Sequence, residues 1–383
     1  MKFAFTDEQQ MLQDTTNAFL SAKADSSSLR SVLASEAGFD ESLWQTICTD
    51  MYWQGVAVPE SAGGLGLGGV ELAIIAESAG EALLASPLFA VSQSVLALRE
   101  CAESDTAQSL YEAILEGEIV SLAGTSARAD WSDVGVVAEQ EAGQWVLSGE
   151  SRFVPYGHAA SRLLVAAQLE SSEAASQLGL FVIDAEAGGV SIHRTPTMDQ
   201  SRPMATVTLD AAKVDNAACL SSDAAEALDT VLAMSRILTA ADQVGVAQAS
   251  LDSSVAYTSE RVQFDRTIAS FQAIKHKAAD MMLKVESARS LVYYAACIVD
   301  AWYEGSTNRS TLIEASLMAS ACAGDAAFFN AGSGIQMHGG VGITEEYDIQ
   351  LYFKRARSTE SYLGRPSEMR EQLAVMLLDG VDS

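Results

Sequence analysis

The hydrophobic positions of this 383-residue chain follow two different periods, and the changes between them divide the sequence into three segments. In residues 1–118, apolar residues recur at helical spacing, as in the run from Val70 to Ile75. The segment opens with a capping-box sequence over Thr6–Gln9, followed by Met11, Leu12 and Phe19, which the spacing places on one apolar face. This pattern predicts a helical N-terminal domain.

Residues 119–215 have the shorter period that is typical of β-strands. Short β-rich runs separated by turn residues occur at Val134–Ala138, Trp145–Leu147, Leu163–Ala167, Gly179–Ile183 and Ala205–Leu209. Several short strands at such spacing predict a small antiparallel sandwich or barrel in the middle of the chain.

Residues 216–383 return to the helical period. The stretch from Asp223 to about Glu260 has no proline and a single glycine, and similar stretches run from Phe271 to about Tyr303 and onward from near Leu312. Long helices of this kind predict a C-terminal bundle. The order helical, β, helical predicts an α+β protein of three domains, with boundaries near residues 118 and 215.

One glycine-rich run between helical segments has the literal form of a dinucleotide-binding motif. Gly64 to Gly69 matches G-x-G-x-x-G, but Pro59 interrupts the short apolar run before it and no βαβ unit follows. The acidic residue near the expected offset, Glu81, lies within helical pattern. We therefore predict a loop that connects helices.

The composition narrows the class of protein. Hydrophobic residues make up 49% and charged residues 19%, with 6 prolines, which predicts a globular, helix-rich chain. No uninterrupted apolar run reaches the roughly 18 residues that span a bilayer, and the start of the chain lacks the apolar region of a secretion signal. Five scattered cysteines suit a reducing compartment, so we predict a cytoplasmic protein.

The formal charge of −28 argues against nucleic acid and against an anionic membrane as partners. The four histidines are scattered through the sequence and show no metal-ligand spacing.

A glycine-rich turn, Gln336 to Tyr347, lies inside the helical C-terminal segment and lets backbone approach a bulky anion. This turn resembles the flavin-contacting signature of the acyl-CoA dehydrogenase family. Further motifs follow the family order, and they are Phe5–Gln9, Val58–Gly66, Arg261–Ile268 and Phe271–His276. The resemblance implies the family fold, FAD as cofactor, an acyl-CoA substrate and a place in lipid β-oxidation.

The resemblance also implies which residues hold FAD. In the family, residues at the positions of Arg261, Phe264 and Gln272 touch the adenine and pyrophosphate half of a flavin held by a neighbouring subunit. Residues at Gln336, Gly339 and Gly340 approach a neighbour's cofactor in the same way, so the resemblance implies an oligomer. Guanidinium and backbone N–H groups suit pyrophosphate oxygens.

Other interpretations of these residues stay open. Arg261 could be a solvated charge at a helix end, Phe264 a core residue, and the glycines a simple helix stop. Asp265 stands where the family has glycine, which is unfavourable beside a pyrophosphate unless its carboxylate turns to solvent. CoA is polyanionic, so its site must be a local basic patch on this acidic body. A solvated face is the favoured interpretation of the candidate patch, which comprises Lys354, Arg355 and Arg357.

Two motifs that surround the flavin ring in the family are altered in this sequence. A Thr-Glu…Gly-Ser-Asp loop becomes Thr125 to Asp130 without the Gly-Ser-Asp, and a Trp-Ile-Thr motif becomes Phe153-Val154-Pro155. We predict that Thr125 and Phe153 still contact the flavin, Phe153 by stacking. Pro155 has no hydroxyl with which to reach the flavin N5 region.

The catalytic base of the family is missing as well. Its two usual positions are occupied by Leu363 and Ser235, neither of which is basic. The chain resembles subunits of bacterial α2β2 acyl-CoA dehydrogenases that act on steroid side-chain thioesters, in which one subunit type keeps the base. We therefore predict a subunit of a hetero-oligomeric dehydrogenase whose homologous partner keeps the base, and the resemblance implies an electron-transfer flavoprotein as acceptor. The alternatives are a self-sufficient enzyme that uses Asp242 or Glu360, and a flavin-binding or structural paralogue without activity. Asp242 lies seven residues after Ser235 in an apolar setting, but it could also be a bridged structural acid.

Overall fold

A computed structural model describes residues 5–101, 103–125, 134–170 and 177–379. The α-helices in these residues are α1 (Asp7–Lys23), α2 (Ser26–Leu33), α3 (Glu41–Thr46), α4 (Gly69–Glu81), α5 (Leu88–Cys101), α6 (Asp105–Leu115), α7 (Ala225–Glu260), α8 (Gln272–Tyr303), α9 (Arg309–His338), α10 (Ile349–Ser361) and α11 (Pro366–Asp379). The strands are β1 (Val120–Ala123), β2 (Val136–Glu141), β3 (Gln144–Pro155), β4 (Arg162–Leu169), β5 (Gln177–Asp184), β6 (Val190–Thr195), β7 (Met204–Val214), β8 (Cys219–Ser221), β9 (Val262–Gln263) and β10 (Arg266–Thr267). The predicted order of helical, β and helical segments is confirmed.

The first helix begins with the predicted capping box. The Thr6 hydroxyl accepts the N–H of Gln9 at 3.2 Å, and the Gln9 amide oxygen accepts the N–H of Thr6 at 3.1 Å. The predicted apolar face is wrong in one position, because Met11 is 69% exposed. The buried residues of α1 are Thr16 and Leu20, and Met11 lies about 140° around the helix from Thr16.

The middle of the chain forms one sheet with the strand order β6-β7-β3-β2-β4-β5-β8, in which β1 pairs with β4. Each predicted run overlaps a strand, from β2 to β5 and β7, whereas β1, β6 and β8 were not predicted. Most neighbours are antiparallel, but β4 pairs in parallel with both β1 and β2. The predicted antiparallel β domain is thus confirmed, and it contains in addition two parallel pairings between strands that do not follow each other in sequence.

The chain separates into two compact units. One comprises residues 32–67 and 85–235 and contains the sheet; the other comprises residues 1–31, 68–84 and 236–383. In the second unit α4 crosses α7 so closely that a Cβ on Gly80 would lie 2.1 Å from the Asp242 carbonyl oxygen, and one on Gly245 would lie 2.0 Å from that of Glu77. The three-domain division by chain order stays a prediction.

The run Gly64–Gly69 connects a short 3₁₀ turn, Glu60–Ala62, to α4, as predicted for a loop between helices. The N-terminus of α4, where a dinucleotide fold would bind phosphate, holds a carboxylate of the chain itself. The N–H of Gly69 donates to the Asp300 carboxylate at 2.5 Å, and burial raises the pKa of Asp300 to about 6.

One segment, Arg309–Ile343, which contains α9, is long and apolar enough to cross a membrane by length and composition alone. In this structure 61% of its apolar window is buried, and α9 packs against α8, α10 and α11. These features are typical of the core helix of a bundle.

Candidate active site

A tight hairpin follows the C-terminal end of α7. Strands β9 and β10 pair across Phe264 and Asp265, whose φ angles of 55° and 61° are both in the left-handed region. Such a two-residue turn requires positive φ at both positions, which explains why glycine is the easier residue at position 265. Asp265 is exposed to solvent. This is the condition under which its carboxylate would be tolerated beside a pyrophosphate.

The hairpin presents two predicted cofactor-binding residues at the surface. Arg261 is exposed, and Phe264 at the tip is 86% exposed, so the interpretation of Phe264 as a core residue is wrong. The Phe264 ring lies 6.1 Å from that of Phe271, edge to face, and the Arg266 guanidinium lies 4.0 Å above Phe271. These contacts hold the hairpin against the start of α8, next to the exposed Gln272.

The glycine-rich turn begins where α9 ends. Gly339 has a φ of 66°, and residues Gly339–Ile343 form a 3₁₀ turn. Gly339 and Gly340 are exposed, and a Cβ on either would meet no atom of the chain within 4 Å. Open space above exposed backbone is what a bulky ligand needs for close approach. Gln336, on the last turn of α9, is exposed beside them.

Packing brings the hairpin and the glycine turn to the same end of their unit. Tyr257, one turn before Arg261 on α7, stacks on His338 with 4.4 Å between ring centroids. A second contact involves α8, because Met337 belongs to a buried cluster against which Ile274 packs. The structure thus places the exposed residues Arg261, Gln272, Gln336, Gly339 and Gly340 near the same end of α7, α8 and α9.

The residues predicted to contact the flavin ring lie in the unit that contains the sheet. The backbone carbonyl of Thr125 accepts the N–H of Arg152 at 3.0 Å and the hydroxyl of Ser151 at 2.9 Å. The Thr125 hydroxyl in turn donates to the Arg152 carbonyl. Phe153 follows at an irregularity of β3 with a φ of 54°, so the two predicted residues are neighbours. The rest of the loop that replaces the family's Gly-Ser-Asp motif, residues 126–130, lies outside the described residues.

The two residues that the resemblance aligns with the family's base positions, Leu363 and Ser235, have no acidic side chain, and both are fully buried. Leu363 and Ser235 each have 0% exposure. Leu363 has a φ of 63°, and the Arg236 Nε donates to its carbonyl oxygen at 2.9 Å, which fixes the loop after α10. Glu360, the alternative acid close to this loop, forms an ion pair with Arg357 and lines a cavity of about 10 Å³ together with Arg236, which is room for one water.

Asp242 lies in a buried ion pair. Its carboxylate is 2.8 Å from the Arg355 guanidinium, and the side chains of the two residues are 2% and 1% exposed. The two opposite charges are thus enclosed by the protein and face each other. The geometry favours the structural interpretation of Asp242, while its assignment as a base stays a prediction.

The candidate basic patch is divided by this pairing. Arg355 is fully buried, so its interpretation as part of a solvated face is wrong: α10 turns it inward to Asp242. Arg357 stays exposed and lies 5.5 Å over the Phe328 ring, and Lys354 is half-buried. The hydrophobic period of the sequence could not reveal that Arg355 pairs with Asp242, which lies 113 residues earlier in the chain.

A second buried polar network, centred on Glu77, was not predicted from the sequence. Glu77 on α4 accepts the Arg289 Nε at 2.8 Å and the Tyr293 hydroxyl at 2.9 Å, both from α8. Arg289 also donates to Gln248 of α7 at 2.8 Å. One turn further along α4, burial and then the Glu77 carboxylate raise the pKa of Glu81 to about 7.

We expect Glu81→Gln to stabilise the protein at alkaline but not at acidic pH. The folded state holds the Glu81 proton up to about pH 7, whereas the ordinary value is 4.5, so wild-type stability falls as pH rises between these values. Glutamine removes this loss, which amounts to about 1–3 kcal/mol at pH 8. Urea unfolding at pH 5 and pH 8 measures it, with the exposed Glu371→Gln as control. A gain that does not change with pH would contradict the prediction.

Two protein-family models match this chain. The one described as acyl-CoA dehydrogenase, N-terminal domain, matches residues 6–118, and the one described as acyl-CoA dehydrogenase, C-terminal domain, matches residues 225–378.

Curated relatives match over almost the whole chain. Acyl-CoA dehydrogenase IpdE2 of Mycobacterium tuberculosis is 30% identical over 371 residues, which are 96% of each chain. Acyl-CoA dehydrogenase IpdE2 of Mycolicibacterium smegmatis is 29% identical over 368 residues, 96% of this chain and 98% of that protein.

Solved structures also match over almost the whole length of this chain. The ChsE4–ChsE5 complex from Mycobacterium tuberculosis superimposes with a TM-score of 0.88 at 26% identity, covering 98% of this chain and 99% of the other. A variant of the Tcur3481–Tcur3483 steroid ACAD gives a TM-score of 0.87 at 30% identity, with the same coverage. Butyryl-CoA dehydrogenase from Megasphaera elsdenii, at 23% identity and a TM-score of 0.87, shows the shared fold.

Proposed function

The chain belongs to the acyl-CoA dehydrogenase family, and from this premise we propose that it is a base-deficient subunit of a hetero-oligomeric, FAD-dependent acyl-CoA dehydrogenase. The assembly would introduce an α,β double bond into an acyl-CoA thioester. One observation supports the proposal: Leu363, which the resemblance aligns with the family's base position, is a fully buried leucine, whereas the residues aligned with the positions that contact a neighbour's flavin are exposed.

The surface kept for the cofactor fits the pyrophosphate half of FAD. Arg261 offers a guanidinium that suits phosphate oxygens. Gly339 and Gly340 leave open space above exposed backbone, where a larger residue would stand in the way. Gln272 and Gln336 add exposed amides at the same end of the helices. These side chains point away from their own unit, which is the arrangement expected if the cofactor is shared with a second subunit.

The chemistry defines what the partner must supply. Dehydrogenation removes a weakly acidic α-proton from the acyl group, so a carboxylate must lie beside the α-carbon. FAD, when bound, accepts the hydride that leaves the β-carbon. Leu363 cannot take the proton, and its buried apolar side chain instead excludes water from that position. A homologous subunit that retains the glutamate would complete the reaction.

An exposed apolar face supports assembly with another subunit. Met282 and Leu283 on α8 and Leu377 and Leu378 on α11 are each more than half exposed. A groove of about 420 Å³ lies between these helices and α9, lined by Leu283, Met318 and Leu373 among others. Exposed apolar surface of this kind is typical of protein contacts.

The relatives suggest which partners and substrates to test first. Two matched structures are a two-protein complex and a steroid ACAD, so a homologous subunit and a thioester of a steroid side chain belong among the probes. We further propose an electron-transfer flavoprotein as the electron acceptor and the cytoplasm as the location. The five cysteines, all free in this structure, agree with a reducing compartment.

Co-expression with a homologue that keeps the glutamate and the Gly-Ser-Asp loop tests the proposal. We expect native mass spectrometry to show a complex of both chains with FAD, and acyl-CoA thioesters to bleach its flavin absorbance. The chain purified alone should show no bleaching. Rapid bleaching by the isolated chain, or failure of the two chains to associate, would count against a complementing subunit.

We expect Arg261→Ala to weaken FAD retention by the assembly by about 1.5–3 kcal/mol, the value of a charge-assisted contact. The bound flavin per subunit after gel filtration and the dissociation constant of FAD both measure the effect. Lys23→Ala removes the same charge at an exposed position of α1 and serves as control. Equal flavin content in wild type and both variants would remove Arg261 from the cofactor site.

A further inference from the structure

Three aromatic rings meet under the glycine turn. The His338 ring stacks on Tyr257 at 4.4 Å with an interplanar angle of 20°. Tyr347 packs edge-on against both, with centroids 5.8 Å from each. His338 is buried and lies directly before Gly339, yet neither the family motifs nor the proposed chemistry gives it a role.

One hydrogen bond fixes the orientation of the His338 ring. Its Nδ1 lies 2.7 Å from the carbonyl oxygen of Gly334, one turn earlier on α9. A carbonyl oxygen only accepts, so Nδ1 carries the proton and the tautomer is determined. Burial lowers the pKa of His338, which keeps the ring neutral near pH 7.

The glycine turn is built on this side chain. Gly342 is buried, and a Cβ there would lie 2.7 Å from the Ile335 carbonyl oxygen and 3.0 Å from the His338 Cβ. The turn therefore folds back over the last turn of α9 and rests on His338. The Thr344 hydroxyl closes it by donating to the Val341 carbonyl at 2.8 Å.

The same ring connects the turn to a different helix. Tyr257 lies on α7 four residues before Arg261, so the stack on His338 joins the end of α7 to the end of α9. This stack is the α7–α9 contact nearest in sequence to the two groups that would contact one anion, the Arg261 guanidinium and the Gly339–Gly340 backbone; the Leu251–Met337 contact and the hydrogen bond from Asn330 to the Ala247 carbonyl lie further back along the helices.

We propose that His338 is a positioning residue whose stack on Tyr257 holds the glycine turn in register with Arg261, so that both contact one pyrophosphate group. The identity of that ligand, FAD, rests on the proposed function; the effect of His338 on the turn does not. The ring carries the effect, and the hydrogen bond to Gly334 sets the ring's orientation.

Two substitutions separate the ring from the hydrogen bond. In His338→Asn the amide nitrogen can take the place of Nδ1, but the ring is lost; His338→Phe keeps a ring and loses the hydrogen bond. Leu312→Ala, a fully buried position at the start of α9, is the control for a general loss of stability. Hydrogen exchange of residues 339–344 in the full-length, flavin-free protein and the dissociation constant of FAD for the assembly are measured on all four proteins.

We expect His338→Asn to speed exchange in residues 339–344 and to weaken FAD binding about tenfold, as loss of a contact of ordinary strength would. His338→Phe should stay within about threefold of wild type, a difference smaller than one such contact. Leu312→Ala should lower the melting temperature without changing exchange in the turn. Unchanged exchange in His338→Asn, or an equal loss in His338→Phe, would overturn the proposal. If wild type binds no FAD, the proposed function fails, and the exchange measurement still decides the role of His338.

Discussion

Replacement of Arg355 by methionine lowers the free energy of unfolding by about 3–5 kcal/mol, because it removes the guanidinium that faces the buried Asp242 carboxylate. Urea unfolding followed by circular dichroism measures the loss. The double variant Asp242→Leu/Arg355→Met replaces both charges by apolar groups and should recover most of it. A double variant as unstable as the single one would show that the packing of Arg355, and not its charge, is what the core requires.

The same ion pair decides between the two interpretations of Asp242. We expect Asp242→Asn to lower the melting temperature and to leave the turnover of the assembled enzyme intact, since the carboxylate is engaged by Arg355. If Asp242 were the base, turnover would fall by about 10²–10⁴-fold while FAD stays bound. Melting temperature and turnover measured on one preparation separate these outcomes.

Leu363→Glu should create acyl-CoA-dependent bleaching in a chain that otherwise lacks it. A positioned carboxylate contributes about 10²–10⁴-fold in rate. The Arg236 contact goes to the carbonyl of residue 363 and does not depend on its side chain. Burial should raise the pKa of the introduced carboxyl, so the rate should increase with pH as the carboxyl loses its proton.

Leu363→Gln is the matched control, because it has the size of glutamate and no basicity. Stopped-flow measurement of flavin absorbance with an excess of acyl-CoA, in the presence of FAD, compares the two variants with wild type. Equal rates for the glutamate and glutamine variants would show that position 363 does not lie beside the α-carbon. Rapid bleaching by wild type would reveal another base and return attention to Asp242 and Glu360.

Local patterns in the sequence were sufficient for the long helices and for most of the strands. The capping box at Thr6 and the absence of proline from α7 are local signals, and the structure contains what they predict. Strands β1 and β8, of four and three residues, are too short for an alternating pattern to stand out. The parallel pairings of β4 join distant strands, and no local period contains that information.

In the candidate site, too, local motifs were predictable from the sequence and contacts between distant residues were not. Motif order was enough to name Arg261 and Gly339, because their neighbours in sequence identify them. The Arg355–Asp242 pair and the Tyr257–His338 stack join residues far apart in sequence. A basic run and a scattered histidine carry no sign of such partners, so only three-dimensional packing reveals what they do.

The close crossing of α4 and α7 has a consequence for how the chain matures. During synthesis α4 leaves the ribosome early, but α7, against which Gly80 packs at Asp242, begins only at Ala225. Until then α4, which carries the buried Ile74 and Ile75, has α1 to pack against but lacks α7 and α8. Non-local contacts of this kind slow folding and leave apolar surface open to aggregation. A nascent chain stalled before α7 is therefore a natural client for a chaperone, and a fragment that stops at residue 118 is a poor choice for expression.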